Sequence, residues 1–239
     1  MTLTRIEYAT RTATWFTPRG RAVEFAYRAE TSDWNTINSV MSPNDEYGLA
    51  GLNLSGLALD IGAHVGSVSI ALAMDNPDLH VIAVEAISEN ADLARENAER
   101  NGLGDRITVL TCAAAAPGIE TTEVLWRSQG DENATHHAFI GNSRLVYDTL
   151  TLPHETATVA CVSLGSLLEP EAAFVKIDCE GCEWGFLSDP AVKRVERITG
   201  EVHPTNGHVP SDIIELLGKT HQVTVSSDTG PCGFTAVRL

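Results

Sequence analysis

The chain has 239 residues, of which 43% are hydrophobic and 20% charged, and its formal net charge is -16. This length suits one well-cored domain over residues 1–239 better than two domains. The sequence contains no run of eighteen apolar residues, which excludes a membrane-spanning helix. The acidic balance disfavours a nucleic-acid partner, because phosphate binding rests on clustered Lys and Arg. Five cysteines, an odd number, argue against a disulfide framework, and residues 1–21 lack the apolar stretch of a secretory signal, so we expect a cytoplasmic protein.

The first 45 residues are predicted to form an N-terminal extension. Two short β-type runs, residues 5–8 and 22–28, flank the turn Pro18-Arg19-Gly20, and this pattern predicts a β-hairpin. A polar stretch that contains Trp34 and Ile37 follows, and it predicts a helix that ends before Pro43.

Buried strands and helices alternate through most of the remaining chain. The predicted strands cover residues 57–61, 81–85, 106–110, 173–178 and 197–203, and the predicted helices lie near residues 68–76, 88–101, 184–196 and 211–219. Two further strands, residues 222–227 and 234–238, are joined by a turn. The alternation predicts an α/β fold with a mostly parallel, doubly wound sheet that ends in an antiparallel hairpin.

Residues 120–162 break this rhythm and are predicted to be an insertion on the substrate side. The β-like runs 123–126 and 144–147 flank a polar stretch with His136 and His137, as expected of a hairpin or lid. The two histidines are either solvated loop residues or substrate contacts.

A glycine turn follows the first predicted buried strand, in the segment Asp60-Ile-Gly-Ala-His-Val-Gly66. Ligands bind at such strand-to-helix turns in open α/β sheets, and Gly62 and Gly66 would let the backbone approach a ligand closely. Asp60 suits a donor that carries a cationic amino group, whereas a pyrophosphate prefers bare amides at a helix N-terminus. The Gly-x-Gly-x-x-Gly spacing of dinucleotide-binding proteins is absent.

Glu85 ends the second predicted strand 25 residues after Asp60. This separation is close to the roughly 20 residues at which an acid accepts hydrogen bonds from ribose hydroxyls. A nicotinamide-dependent oxidoreductase therefore stays an alternative, weakened by the missing glycine spacing.

Acids and a histidine collect at two later strand ends. Asp178, Glu180 and Glu183 lie within six residues and would repel one another without a compensating cation, proton or donor. Glu201 and His203 are two apart on a strand and therefore share a face. The same segment contains Cys179 and Cys182, for which we expect packing, because no second pair completes a zinc site.

These motifs together resemble the FkbM-type methyltransferases between about residues 57 and 203. The resemblance rests on the glycine turn, the spaced series Asn90, Leu93, Asn97 and Asn101, the block Val175-Lys-Ile-Asp-Cys-Glu-Gly-Cys-Glu183, and the strand end Glu201-Val-His203. The Lys-Ile-Asp-x-Glu-Gly-x-Glu pattern is the most specific of these.

The resemblance implies a Rossmann-like class I methyltransferase fold, S-adenosylmethionine as methyl donor, and O-methylation of a small-molecule hydroxyl, as in a sugar or secondary metabolite. Asp60, Gly62, Ala63, His64 and Gly66 would bind the methionine part of the donor, Glu85 the ribose, and Cys112 and Ala113 the adenine region. Ala86 and Asp178 would also belong to the donor site. Two positions depart from the family pattern. His64 stands where Asn is commoner, and residues 163–165 lack an aspartate after the leucine.

Methyl transfer to a hydroxyl requires a base or a metal ion that helps to remove the hydroxyl proton as the oxygen attacks. His203 is the first candidate for the base because its unperturbed pKa lies near neutral pH, with Glu201 or Asp178 as its orienting partner and Glu180 beside them. Alternatively, Asp178, Glu201 and His203 hold a divalent ion such as magnesium or manganese. An N-methyltransferase and a non-catalytic protein that binds the donor are further alternatives.

Overall fold

The computed structural model describes residues 8–126, 139–140, 155–205 and 207–239. It begins with the predicted hairpin, formed by β1 (Thr10–Phe16) and β2 (Ala22–Arg28) around the expected turn. The strand that pairs with β2 comes later in the chain than the predicted run 5–8. Residues 5–7 lie outside the described residues. Helix α1 (Asp33–Val40) ends before Pro43, as predicted.

The other elements follow in the predicted alternation. They are β3 (Gly56–Ile61), α2 (Ser67–Asp75), β4 (Leu79–Glu85), α3 (Ser88–Arg100), β5 (Ile107–Thr111), β6 (Ala113–Ala114), β7 (Thr121–Trp126), β8 (Phe139–Ile140), β9 (Glu155–Val162), α4 (Leu164–Leu167), β10 (Phe174–Ile177), α5 (Glu183–Leu187), β11 (Arg197–Val202), α6 (Asp212–Leu217), β12 (His221–Val225) and β13 (Cys232–Arg238). Short 3₁₀ helices cover Leu49–Gly51 and Pro190–Arg194.

The central sheet has seven strands in the order β12-β13-β11-β10-β3-β4-β5. Strands β11, β10, β3, β4 and β5 pair in parallel, and β13 is antiparallel to both β11 and β12. The predicted fold class, a mostly parallel doubly wound sheet that ends in an antiparallel hairpin, is confirmed. The chain leaves β3 in one direction to β4 and β5 and later in the other to β10 and β11, so a ligand crevice opens at the carboxyl end of β3.

The two faces of the sheet pack into separate hydrophobic cores. In β3, Ala58 belongs to the core with α1, α2, α3 and the hairpin, whereas Leu59 and Ile61 belong to the core with α4, α5 and α6. Because successive strand residues point to opposite faces, Asp60 lies on the α2 side. This placement decides what that carboxylate contacts.

Helix α3 holds the N-terminal hairpin through asparagine side chains on one face. Asn97 accepts a hydrogen bond from the amide of Ala26 at 2.7 Å and donates to its carbonyl at 3.1 Å, and Asn101 makes the same pair of contacts with Glu24. These amides replace a neighbouring strand along the outer edge of β2, which would otherwise leave its polar groups unpaired. The Asn series that carries the family resemblance therefore docks the hairpin.

The predicted insertion contributes β7, β8 and β9 to a second sheet of four strands in the order β6-β9-β7-β8, in which β6 precedes the insertion. Strand β7 includes the predicted run 123–126 and pairs antiparallel with β9. His136, His137 and the predicted run 144–147 lie outside the described residues.

One predicted helix is wrong in its extent. Residues 184–196 form α5 followed by the 3₁₀ helix Pro190–Arg194 instead of one continuous helix. Asp189 accepts from the amide of Ala191 at 2.9 Å and starts the second element, and Pro190 has no amide hydrogen to continue the first. Among the described residues, no helix combines the length and apolar character needed to cross a membrane.

Candidate functional site

A cavity of about 710 Å³, including its open mouth, lies at the carboxyl ends of β3, β4 and β10. The predicted site residues that line it are Gly62, Ala63, His64, Glu85, Ala86, Cys112, Ala113, Asp178 and Glu180. Asp60, Gly66, Glu201 and His203 do not line it. The structure therefore brings most of the predicted donor-site residues to one crevice and places the others behind it or beside it.

The glycine turn is fixed by close backbone contacts. Gly62 has a φ of 75°, and a Cβ at this position would lie 1.8 Å from the carbonyl oxygen of Asp178. Gly66 also has a positive φ and packs against Ala94 of α3. His64 adopts a φ of 50°, a region in which Asn and His are both enriched among non-glycine residues. The replacement of the commoner Asn by His thus preserves the backbone requirement at this position.

Asp60 lies beneath the turn and is fully buried. Its Oδ2 accepts hydrogen bonds from the amide of Ser69 at 3.0 Å and from its hydroxyl at 2.6 Å. Its Oδ1 faces Nζ of Lys176 at 3.5 Å, and Lys176 in turn donates to the carbonyl of Gly62 at 2.7 Å. Asp60 therefore anchors α2 and supports the turn from behind. The sequence had instead predicted that Asp60 contacts the methyl donor at the mouth of the crevice.

Glu85 is buried at the end of β4, and both of its carboxylate oxygens accept hydrogen bonds. Oε2 accepts from the amide of His64 at 2.9 Å, and Oε1 accepts from the amide of Ile87 at 2.9 Å and the side chain of Asn90 at 3.2 Å. Burial raises the pKa of Glu85, and these three hydrogen bonds partly offset that rise. The carboxylate joins the glycine turn to the start of α3.

A buried network extends from this point to the N-terminal extension. Arg28 donates to both oxygens of Asp33 and, at 2.7 Å, to the side-chain carbonyl of Asn90. Nε2 of His64 lies 3.4 Å from Asp33. Burial alone would raise the pKa of Asp33, but hydrogen bonds from Arg28 and the proximity of His64 lower it. The extension is thereby part of the wall that supports the predicted donor site.

The loop after β10 presents Glu183 to His203, a contact that sequence reasoning did not assign. Oε1 of fully buried Glu183 lies 3.0 Å from Nδ1 of His203 and accepts from the amides of Cys179 and Gly181 at 3.1 and 3.2 Å. The expected orienting partners of His203 were Glu201 or Asp178, and that expectation is wrong for Nδ1. The first-turn acid of α5 has this role instead.

The charge state of His203 changes the expected chemistry. Burial lowers its pKa, but the hydrogen bond to Glu183 and the nearby charges of Glu183, Glu180 and Asp178 raise it to about 10. Nε2 lies 3.3 Å from Glu180, whose φ of 56° holds the loop in a conformation rare for a non-glycine residue. At neutral pH His203 is therefore a cation and does not suit the role of proton acceptor that its residue type suggested.

The pKa of Glu201 is also raised, which in a carboxyl group favours the neutral form. Burial, repulsion from Asp178 and repulsion from Glu180 raise its pKa to about 7, although His203, whose Nε2 lies 3.8 Å away, opposes the shift. A carboxylate with this pKa changes its protonation state near neutral pH, which is the property of an effective general base.

The metal site that the sequence suggested as an alternative has a different set of candidate ligands in the structure. Among the described residues, Asp178, Glu183 and His203 offer one atom each within 4.8 Å of one another, whereas the sequence suggested Glu201 in place of Glu183. Both ring nitrogens of His203 already face carboxylates. The structure supplies a close group of ligand atoms without assigning an ion to it.

Tyr47 and Lys176 are site residues that sequence reasoning missed. The hydroxyl of Tyr47 donates to Oδ2 of Asp178 at 2.9 Å, and Nζ of Lys176 lies 5.5 Å from the centre of the tyrosine ring. Burial and the charge of Asp178 raise the pKa of Tyr47 well above its usual value, so the phenol stays protonated. The Lys of the Lys-Ile-Asp block was the only available signal, since Tyr47 lies 131 residues from Asp178 in sequence.

Cys179 and Cys182 form a disulfide across the loop that carries Glu180. The expectation that these cysteines only pack is therefore wrong. Local chain geometry explains the difference, because the tight loop at Glu180 and Gly181 brings the two Cα atoms to 5.6 Å, within the range that a disulfide spans.

The chain matches the family described as the methyltransferase FkbM domain over residues 60–223. It belongs to the FkbM methyltransferase-domain family. The matched segment includes the glycine turn, Glu85, the loop at residues 178–183 and the strand end at residues 201–203, whereas Tyr47 and the N-terminal extension lie before it.

Curated relatives of this FkbM domain match shorter segments. A release factor glutamine methyltransferase from Bacillus anthracis is 38% identical over 66 residues, which is 28% of this chain and 23% of that protein. The O-methyltransferase imqG from Aspergillus flavus is 39% identical over 57 residues, 24% of this chain and 23% of that protein. The match thus spans about a quarter of the length of each of these relatives.

Solved structures with a similar chain trace include two other methyltransferases. An O-methyltransferase from Bacillus cereus in complex with SAH has a TM-score of 0.40 at 20% identity, covering 76% of this chain and 74% of that one. The precorrin-6y C5,15-methyltransferase from Geobacter metallireducens has a TM-score of 0.45 at 16% identity, covering 80% and 85%.

Proposed function

We propose that the chain is an S-adenosylmethionine-dependent methyltransferase that methylates a hydroxyl group of a small molecule. The observation that carries this proposal is the position of Asp178. Its side chain lines the crevice of the glycine turn and also accepts a hydrogen bond from Tyr47, beside the cluster formed by Glu201 and His203. A donor site and a group suited to receive a proton therefore share one wall.

The residues of the crevice fit the donor in shape and in charge. Gly62 lets the turn pack against the carbonyl of Asp178, so that the turn and the loop after β10 line the same cavity at the strand end. Glu85, Asp178 and Glu180 line the cavity with Lys176 as the opposing charge, and this acid-rich lining favours a ligand with cationic groups. When bound, S-adenosylmethionine supplies a sulfonium methyl group that is electrophilic without activation.

Specific residues would hold the three parts of the donor. Gly62, Ala63 and His64 would bind the methionine part, with Asp60 and Lys176 fixing the turn from behind. Glu85 would accept hydrogen bonds from the ribose through the lone pairs that its three amide donors leave available. Cys112 and Ala113 would border the adenine, because they line the cavity beyond β4.

On the acceptor side, Glu201 is the proposed base. Its pKa of about 7 lets it be ionised before the reaction and protonated after it. His203, held as a cation by Glu183 and Glu180, would orient the cluster and limit the repulsion among its acids. Asp178 and Tyr47 would fix the wall against which the acceptor hydroxyl is aligned, and alignment is a large part of catalysis when the electrophile is already reactive.

The test separates donor binding from turnover. Calorimetry of the purified protein with S-adenosylhomocysteine should give saturable binding, and incubation with methyl-labelled donor and pools of hydroxyl and amine acceptors should give a labelled ether. Glu201→Gln should retain the product affinity within about twofold yet lower kcat/KM by about 10² to 10⁴, the usual contribution of a general base. In the wild type, kcat/KM should rise with pH through about 7.

Each alternative predicts a different outcome. Labelled amines in place of ethers would identify an N-methyltransferase, and full activity of Glu201→Gln would remove Glu201 as the base. Activity that disappears in chelator and returns with magnesium or manganese would support the metal alternative. Failure of the wild type to bind S-adenosylhomocysteine would overturn the whole proposal.

A further inference from the structure

A second groove lies on the far side of Tyr47 from the donor crevice. Its walls are the segment Asp45–Gly48 and the ends of β11, β13 and β12, and Tyr47 lines both cavities. Glu201 belongs to this groove and not to the donor crevice. The proposed base therefore faces a groove that meets the donor crevice at Tyr47.

The floor of the groove is a sheet face rich in hydroxyl groups. Thr199 of β11 pairs with Thr235 of β13, which pairs with Thr224 of β12, so three threonines form one row across three strands. Glu201 pairs with Gly233 in the next row, and the amide of Ser226 donates to the carbonyl of Gly233 at 2.8 Å. Gly233 leaves its position in this row without a side chain.

The opposite face of the same three strands is built differently. Ile198, Phe234 and Ala236 point into a hydrophobic core that also contains Ile213 and Leu217 of α6. The antiparallel strands β12 and β13 can leave one face open to solvent, and Thr224 and Thr235 are exposed on the groove side. Alternate positions thus present hydroxyls and a carboxylate where packing against a helix would require apolar residues.

The charge of the groove selects among hydroxylated ligands. Asp45, Glu46 and Glu201 line it, and none of the described residues that line it is Lys, Arg or His. Asp45 is already used, because its carboxylate accepts from the amides of Leu49 and Ala50. Glu46 and Glu201 remain to attract a cation, and an anionic ligand would be repelled by all three.

We infer that this groove is the acceptor site and that it takes a polyhydroxylated molecule with a protonated amine. Hydroxyls of the ligand would exchange hydrogen bonds with the exposed Thr224 and Thr235, the amine would lie against the acids, and one hydroxyl would reach Glu201 beside Tyr47. This inference rests on the proposed function, since it names the class of acceptor for the same reaction.

The experiment compares three open-chain polyols that differ in charge at one end: glucamine, glucitol and gluconate. Their binding to the protein saturated with S-adenosylhomocysteine is measured at about pH 7.5 and low ionic strength. We expect the order glucamine, then glucitol, then gluconate, with about a tenfold difference in dissociation constant between the cation and the anion. The difference should shrink at high salt, because the groove is open and ions screen exposed charges.

A charge placed on the groove floor should change this order. Thr235→Arg should weaken glucamine binding about tenfold and improve gluconate binding, and Thr224→Lys gives the same test at the neighbouring strand if the first variant folds poorly. Ile214→Arg is the matched control, since it adds the same charge on exposed α6, across the sheet. It should leave the order of the three polyols unchanged.

The outcomes distinguish this inference from the proposed function. Equal or tighter binding of gluconate, glucamine binding unaffected by both groove variants, or no binding of any polyol to the loaded protein would overturn the groove assignment alone. Failure of the unmodified protein to bind S-adenosylhomocysteine would instead overturn the proposed function.

Discussion

The donor crevice and the acceptor side of this site both contain a buried or partly buried glutamate at a strand end, and the two are used in opposite ways. Glu85 directs both oxygens to hydrogen-bond donors, two of them backbone amides. Glu201 faces Asp178 and Glu180, and these acids together with burial raise its pKa to about 7. A carboxylate held by three donors has a fixed position, whereas one surrounded by other acids can exchange a proton.

The same contrast extends to the histidines. The side chain of His64 lies beside Asp33, and its amide contributes to the anchor at Glu85. His203 is a cation because Glu183 and Glu180 face its two nitrogens. Residue type alone would assign both histidines similar chemistry, so their different partners explain why one supports a turn and the other balances an acid cluster.

The largest effect on stability is expected at the contact between Gly62 of the glycine turn and the carbonyl of Asp178. Gly62→Ala combines a positive φ with a Cβ placed 1.8 Å from the carbonyl of Asp178, so we expect a loss of about 3 to 5 kcal/mol in unfolding free energy and no measurable binding of S-adenosylhomocysteine. Gly56→Ala is the control, because Gly56 has a φ of 82° at the other end of β3 but open space around it. Equal losses in denaturant titrations of the two variants would contradict the close contact.

The two glutamates should differ in the sign of their effect on stability. Glu85→Gln replaces one acceptor oxygen with an NH2 group that faces hydrogen-bond donors. This substitution should lower the unfolding free energy by about 2 to 3 kcal/mol. The pKa of Glu201 is raised from 4.5 to about 7, so the folded protein loses stability between about pH 4.5 and 7 and stays less stable above pH 7. Glu201→Gln should therefore be neutral or stabilising at pH 8, by no more than about 1 kcal/mol given the solvent screening of this partly exposed side chain. A large destabilisation by Glu201→Gln would remove the contrast.

Local patterns in the sequence were sufficient to predict that the glycine turn and Glu85 lie at one crevice. A continuous apolar run marks β3, glycines mark the turn, and Glu85 ends the next strand, and the doubly wound topology then brings these strand ends together. The helix at residues 184–196 was predicted too long although Pro190 signalled the break. The charge state of the acceptor side could not be predicted, because it depends on burial and on which acids face one another.

Long-range contacts account for the other omissions. Tyr47 reaches Asp178 across 131 residues of sequence, and no local pattern connects them. The asparagines of α3 were recognisable only through the family resemblance, since the edge of β2 that they cover is far away in the chain. In the sequence, Glu183 resembles an ordinary acid in the first turn of a helix, and its contact with His203 is visible only in the folded structure.

The charge of His203 provides an effect on stability that depends on pH. Its pKa is raised from 6.5 to about 10, so the stability that it contributes is complete below about pH 6.5 and is lost as the pH rises toward 10. The advantage of the wild type over His203→Asn in unfolding free energy should therefore decline between pH 6.5 and 10, by at most about 1.4 kcal/mol per pH unit. Denaturant titrations at several pH values measure this slope. A constant difference would mean that His203 is neutral in the folded protein, which would restore it as a candidate base.

The smallest effects concern how the N-terminal hairpin supports the donor side. Asn97→Ala removes the partners of the buried amide and carbonyl of Ala26 and of the carbonyl of Val65, and should cost about 2 kcal/mol. Asn101→Ala is matched in chemistry, but its contacts with Glu24 are exposed, so water can replace them and the cost should stay near 0.5 kcal/mol. Because Val65 belongs to the glycine turn, only Asn97→Ala should also weaken the binding of S-adenosylhomocysteine in calorimetry. If both variants weaken it equally, the docking of the whole hairpin, and not the local hold on the turn, determines donor affinity.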